Sequence, residues 1–297
     1  MGIEPRAITM VPLINGDNVT VRRESLAYDT PIPSRTIEPM HDQQRLERSF
    51  ACMADDIEHV SYPIYDLQVW VAQVNLRPMC GRFAITLPND AMANLFQAAP
   101  ANDLPQTPNY NVCPTNSVHV IVSDTETRRL TKMRWGFVPH WYTHLNDGPL
   151  LINARSETLA QKPAFAQACR QRRCIIPASG FYEWTKDSAD NRLPWYIYNK
   201  DQTPIAFAGL YQEWGRDDDR IATCAIVTTL ANQTLSPIHK RMPVILDAAA
   251  WPKWLGEEGK GAAVLMRPSP EGAQLCHRVD PEVNSNKAEG PQLIHKI

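Results

Sequence analysis

Beyond residue 79 the chain consists of short apolar runs broken by turn residues, a pattern that predicts many strands and few helices. Residues 81–86, 118–122, 130–137, 174–176, 180–184, 195–198, 205–211 and 222–229 read as strands. The run at 118–122 alternates apolar and polar positions, the one at 130–137 ends near Pro139, and Pro177 separates 174–176 from 180–184. Three helices are expected. Residues 89–98 open on Pro88-Asn89-Asp90 and carry Leu95 and Phe96. Residues 156–173 are the strongest candidate, with Glu157 early and Arg170, Arg172 and Arg173 at the end, which suits the helix dipole. Residues 247–255 form the third, interrupted by Pro252. The strands lie too close together for helical crossovers, so the expected class is a mostly antiparallel α+β fold rather than a doubly wound one.

Residues 1–78 read differently. Gly occurs there only at positions 2 and 16, Lys is absent, and seven Arg stand against eleven acidic residues. Residues 66–74 have a strand-like pattern and 42–57 suit a short helix, but no period lasts long enough to promise a core. The expected organisation is a disordered or loosely attached extension over 1–78 and a single domain over 79–297.

Composition narrows the class. Hydrophobic residues make up 43% of the chain, with eight Trp, nine Tyr and seven Phe, which excludes a mostly disordered protein. No apolar run approaches the roughly 20 residues that a membrane helix needs. The start, Met1-Gly2-Ile3-Glu4-Pro5-Arg6, lacks the basic lead and apolar core of a secretory signal and the Ser or Thr that myristoylation prefers. The cytoplasm is the expected location. A net charge of −2 does not by itself point to a polyanion, and basic clusters such as Arg128-Arg129 or Lys240-Arg241, taken singly, read as solvated faces. Seven Cys without a secretory leader argue against a disulfide framework. Cys169 and Cys174 have no matching second pair, and His140 and His144 lie in a loop, so no metal site is expected.

Four segments carry candidate chemistry. In Met79-Cys80-Gly81-Arg82-Phe83, Cys80 becomes N-terminal if the chain starts at Met79 or is cut after it. It is then a 1,2-aminothiol, with an amine that titrates near ~8 and a thiol near ~8.5. Such a pair condenses with an aldehyde, first as a Schiff base and then as a five-membered thiazolidine. An internal Cys has an amide nitrogen and reads as a small core residue. In the segment from Pro149 to Thr158, Asn153 offers donors and an acceptor suited to an amine, and Arg155 suits a phosphate; the plain alternative is an N-cap turn. Glu183, between Tyr182 and Trp184, is either desolvated into the range of proton transfer or faces solvent on an edge strand. His239, followed by Lys240 and Arg241, reads as an acid–base beside an anion site or as a surface His.

Taken in order, Met-Cys-Gly-Arg-Phe, Asn-Ala-Arg-x-Glu-Thr, Gly-Phe-Tyr-Glu-Trp and Ile-His-x-Arg-Met-Pro resemble the SOS response associated peptidase family, the abasic-site processing proteins. The segments Tyr110 to Thr115, Arg134 to Trp141, Val283-Asn284-Ser285 and Gly290 to Ile294 look like further parts of it, so the resemblance covers about residues 79–297. It implies a single compact α+β domain with a barrel-like β-rich core that binds single-stranded DNA at an abasic site. By the same resemblance Cys80 forms a thiazolidine DNA–protein crosslink, Asn153 positions its amine, Glu183 moves protons, and His239 assists opening of the deoxyribose hemiacetal and the reverse steps. Arg82, Arg155 and Arg241 would hold phosphates, Trp141 and Tyr142 would stack on unpaired bases, and Asn111 and Pro114 would line the strand's path. Lyase and self-cleaving peptidase activity are chemically compatible. No metal or organic cofactor is implied; the expected partners are single-stranded DNA with abasic sites and the replication machinery, with no membrane, and a monomer is expected.

One feature departs from the family, whose members begin at their Met-Cys. Here 78 residues precede it, and while they are attached Cys80 has no free amine. The extension reads as a misassigned start or a segment that is removed. If it is retained, the expectation is a non-covalent single-strand binding module. A cysteine hydrolase with an N-terminal nucleophile is the other alternative.

Overall fold

Five strands close on themselves at the centre of the domain. In the computed structural model, which describes residues 10–15, 18–23, 81–124, 127–216 and 219–297, these are β6 (Ser117–Ser123), β7 (Arg128–Trp135), β9 (Arg173–Ala178), β12 (Ile205–Trp214) and β13 (Ile221–Leu230). β7 pairs β6, β6 pairs β9, β9 pairs β12 and β12 pairs β13, all antiparallel. A parallel join between β13 and β7, Thr223 with Arg134 and Cys224 with Trp135, completes the ring. Three short strands border this barrel. β8 (Asn153–Arg155) lies parallel to β13, β14 (Arg241–Pro243) antiparallel to it, and β4 (Ala98–Pro100) parallel to β7.

A second sheet, antiparallel throughout, has the order β15 (Gln274–Arg278), β11 (Arg192–Asn199), β10 (Gly180–Lys186), β3 (Phe83–Ile85) and β5 (Asn109–Val112). Because side chains alternate along a strand, β3 and β10 feed two cores. Phe83 and Phe181 turn to the barrel, where Phe83 packs 5.1 Å from the Trp135 ring and Phe181 packs 5.8 Å from Phe207. Ala84 and Tyr182 turn the other way, into a smaller cluster with Tyr196 and with Val279, Val283, Ala288 and Leu293 from the C-terminal segment. That segment thereby seals the outer face of the second sheet.

The helices are α1 (Asn89–Phe96), α2 (Pro163–Gln171) and α3 (Trp251–Leu255). The helix expected over 156–173 is shorter, because residues 156–162 form turns. Pro163 explains the difference: it forces Lys162 into an extended conformation (φ −67°, ψ 125°) and takes the first helical position itself. Pro252 likewise sits in the first turn of α3, after a 3₁₀ turn at Ala248–Ala250, and does not interrupt it. The alternation expected at 118–122 is also absent. All five residues are buried, His119 included, since strands of a covered barrel are enclosed on both faces.

By contacts the chain divides into Met1–Gln73 and Val74–Ile297. Described in the first unit is an antiparallel hairpin of β1 (Met10–Asn15) and β2 (Asn18–Arg23). The expected strand at 66–74, the expected helix at 42–57 and Cys80 lie outside the described residues. Among the described residues no helix is long and apolar enough to cross a membrane.

Candidate active site

The site is assembled around the residues that follow Cys80. Phe83 pairs with Phe181 and Ala84 with Gly180, and the Tyr182 N–H donates to Arg82 O at 3.0 Å. The same register, carried one residue further, sets Gly81 opposite Glu183. On its other side Gly81 touches Ile152: a Cβ placed on the glycine would lie 3.9 Å from Ile152 Cδ1. Ile152 is itself fixed, because its carbonyl accepts from the Trp135 indole at 3.1 Å and from the Ile226 N–H at 3.0 Å. The next residue is Asn153, the first of β8. Glu183, by register, and Ile152, by contact, therefore border Gly81, and Asn153 follows Ile152 in the chain.

Glu183 is only 5% exposed. That settles one of the two alternatives for this residue, since alternation puts it with Phe181 on the covered face of β10 and not in solvent. A carboxyl so enclosed is a candidate proton carrier.

The other end of β8 brings in the second half of the site. Arg155 pairs with Thr228 of β13, and Leu230 of β13 pairs with Arg241 of β14. With three residues in β8, Asn153 and Arg155 are about 7 Å apart. His239 precedes β14 and is half-buried. Its Nδ1 accepts from the backbone N–H of Arg241 at 3.2 Å. The same Nδ1 lies 3.3 Å from Arg241 O, so in either tautomer the ring is held against the Arg241 backbone.

The expected phosphate ligands differ in what they already hold. Arg241 donates to both oxygens of Glu157, at 3.0 and 2.9 Å, and to Thr228 O at 2.8 Å. Burial opposes ionisation of Glu157, but these hydrogen bonds and the charge of Arg241 outweigh it and hold the carboxyl below its usual range. Arg82 donates through Nη1 to Asn111 Oδ1 at 2.6 Å and to Val283 O at 2.8 Å. Asn111 is buried and donates to Ala288 O at 2.6 Å and Ser285 O at 3.1 Å, so its side chain is committed to the C-terminal segment. Arg155, by contrast, is exposed.

Pro114 is half-buried in the turn after β5, just before Thr115, which has φ 74°. Trp141 is 49% exposed, with its ring 6.2 Å from that of Tyr142. Tyr142 is half-buried, and a Cβ on Gly148 would collide with its hydroxyl, so the ring lies flush on that glycine. His140 and His144 lie in this loop, as expected, and no metal-holding group occurs among the described residues. Two participants were not singled out as site residues from the sequence: Glu157, read only as a helix-start charge, and Thr228. The Glu157–Arg241 contact spans 84 residues, which local spacing does not display.

A cavity of about 800 Å³ lined by Leu95, Trp251 and Gln274 contains none of these residues. The candidate chemistry thus lies outside that cavity.

Comparison with known proteins gives a consistent picture. The family model described as SOS response associated peptidase (SRAP) matches residues 79–286. Abasic site processing protein YoqW of Bacillus subtilis is 36% identical over 223 residues, 73% of this chain and 99% of that protein. Abasic site processing protein YedK of Escherichia coli is 32% identical over 227 residues, 74% of this chain and all of that one. A crystal structure of a Bacteroides thetaiotaomicron protein shares the fold, with a TM-score of 0.64 at 24% identity over 73% of this chain and 100% of the other.

Proposed function

Because the chain belongs to the SOS response associated peptidase family, we propose that it processes abasic sites in single-stranded DNA by covalent capture on Cys80. The observation that carries this reading is the position of Gly81, opposite Glu183 and against Ile152, the neighbour of Asn153. Gly81 is the residue next to Cys80, and Glu183, buried, lies across from it.

The reaction needs the amine of Cys80 to be free, so the acting species begins at Cys80. His239 assists opening of the ring-closed sugar to the aldehyde. The Cys80 amine adds to C1′, and Glu183 relays the protons that convert the carbinolamine into a Schiff base with loss of water. Asn153 holds the amine by hydrogen bonding. The Cys80 thiolate then adds to the same carbon, its electron pair displacing the C=N π pair onto nitrogen, which takes up a proton. The product is a thiazolidine. The Schiff base also permits β-elimination, and ring closure removes that route to strand cleavage.

DNA is held at the surface by several groups. Arg155 supplies an exposed guanidinium for phosphate, and Trp141, with Tyr142 behind it, supplies a stacking face. Pro114 borders the path. Arg82 and Arg241 contribute positive charge from positions fixed by Asn111 and Glu157.

The test uses a chain beginning at Cys80 and an oligonucleotide with one abasic site. Wild type should give a stable adduct on a denaturing gel. Cys80→Ser keeps the amine but lacks the thiol, and should give an adduct only when borohydride reduces the Schiff base. Failure of wild type to form any adduct would remove the proposal.

A further inference from the structure

We infer that Glu157 is a positioning residue for His239, acting through Arg241; this rests on the role proposed above for His239. The backbone around Glu157 is a hydrogen-bonded turn. The Ser156 N–H donates to Thr228 O at 2.8 Å, and the N–H groups of Thr158 and Leu159 donate to Arg155 O at 3.1 and 2.9 Å. From this turn the carboxylate reaches both terminal nitrogens of Arg241, a bidentate geometry that fixes the plane of the guanidinium as well as its place. The same guanidinium brackets Thr228 through its carbonyl at 2.8 Å and its hydroxyl at 3.2 Å.

What this bracket holds is the start of β14, a strand of only three residues. Arg241 is its first residue, and the Arg241 N–H is the group that donates to His239 Nδ1. The side chain of Arg241 is 15% exposed and that of Glu157 43%. Removal of the carboxylate strands a mostly enclosed cation, which swings towards water and releases the β14 start. His239 then loses the Arg241 backbone contact that sets its ring. The Arg241 guanidinium thus serves as a clamp on the imidazole as well as a fixed positive charge.

The test compares Glu157→Ala, Glu157→Gln and Glu157→Asp in the chain beginning at Cys80. In the free protein, ¹⁵N spectra of His239 should show one ring tautomer in wild type, held by the Arg241 backbone, and a mixture in Glu157→Ala. The crosslinking rate at saturating DNA should fall about tenfold in Glu157→Ala, part of the roughly 10²–10⁴ that a placed acid–base supplies. Affinity for a strand with an unreactive tetrahydrofuran lesion should change less than about threefold, because Glu157 makes no contact with DNA and the charge of Arg241 is retained. Glu157→Gln and Glu157→Asp keep the shape or the charge and should recover part of the rate; Glu157→Gln also decides the matter if Glu157→Ala does not fold. An unchanged His239 spectrum and rate would overturn the inference. So would tighter DNA binding at an unchanged rate, which would make Glu157 a cover that phosphate displaces. If wild type forms no crosslink, the proposed function fails, and the His239 spectra still decide the positioning role.

Discussion

Arg82 donates a 2.6 Å hydrogen bond to Asn111, and that bond makes the pair part of the scaffold. Arg82 stands next to Gly81 at the entrance of β3, while Asn111 passes the connection on to Ser285 and Ala288. The strand that leads from Cys80 is thereby tied to the C-terminal segment that seals the second sheet.

Replacement of Asn111 by Ala leaves the Ala288 carbonyl and the Arg82 guanidinium short of a partner in a buried place. The expected cost is about 1–3 kcal/mol. Urea denaturation should show this loss, and limited proteolysis should cut first within residues 279–297.

Trp141 is half exposed and contributes little to the core. Trp141→Ala should leave thermal stability unchanged while weakening single-strand binding by about 1–3 kcal/mol, the worth of one stacked base. Fluorescence anisotropy with an unreactive strand checks the second part, and a melting curve the first.

Glu183→Gln keeps the shape of the side chain in its enclosed place but removes its capacity to take a proton. The crosslinking rate should fall by about 10²–10⁴ with binding retained. A rate within threefold of wild type would take Glu183 out of the proton path.

His119 gives the domain a dependence on pH that has no connection with the chemistry. Burial lowers its pKa, against a smaller upward pull from its hydrogen bond to Pro105 O, and its Nε2 also contacts Asn89 Oδ1 at 2.8 Å. The folded pKa lies below the unfolded one of about 6.5, so below that pH the unfolded chain binds the proton more readily. This contribution is complete above pH 6.5 and is lost as pH falls towards the folded pKa. Stability measured by urea between pH 7.5 and 5.5 should decline, and the slope should flatten in His119→Gln.

Much of this architecture was legible in the chain itself, for identifiable reasons. The strands around Pro177 and the one ending near Pro139 stood out because apolar runs there are bounded by turn residues. The order of the four motifs was enough to indicate the family, which the family model over residues 79–286 bears out. The expected helix over 156–173 is longer than the observed one because Pro163 is a first-turn residue, and nothing in the helical pattern marks it as the start. At 118–122 enclosure on both faces replaced alternation, a consequence of barrel closure that no local window contains. The side-chain partners of Arg82, Asn111 and Arg241 come from 13 to 203 residues away. Sequence marks those side chains as polar and basic, but only the fold shows that three of the expected DNA contacts are already held by protein.

The central claim is that Cys80 acts as an N-terminal aminothiol. The most direct measurement is the intact mass of the natively expressed protein, before and after incubation with a single strand carrying one abasic site. The account predicts a chain that begins at Cys80 and gains the mass of the DNA less one water, a gain lost in Cys80→Ala. A full 297-residue chain that shifts the mobility of the DNA but never gains its mass would contradict it.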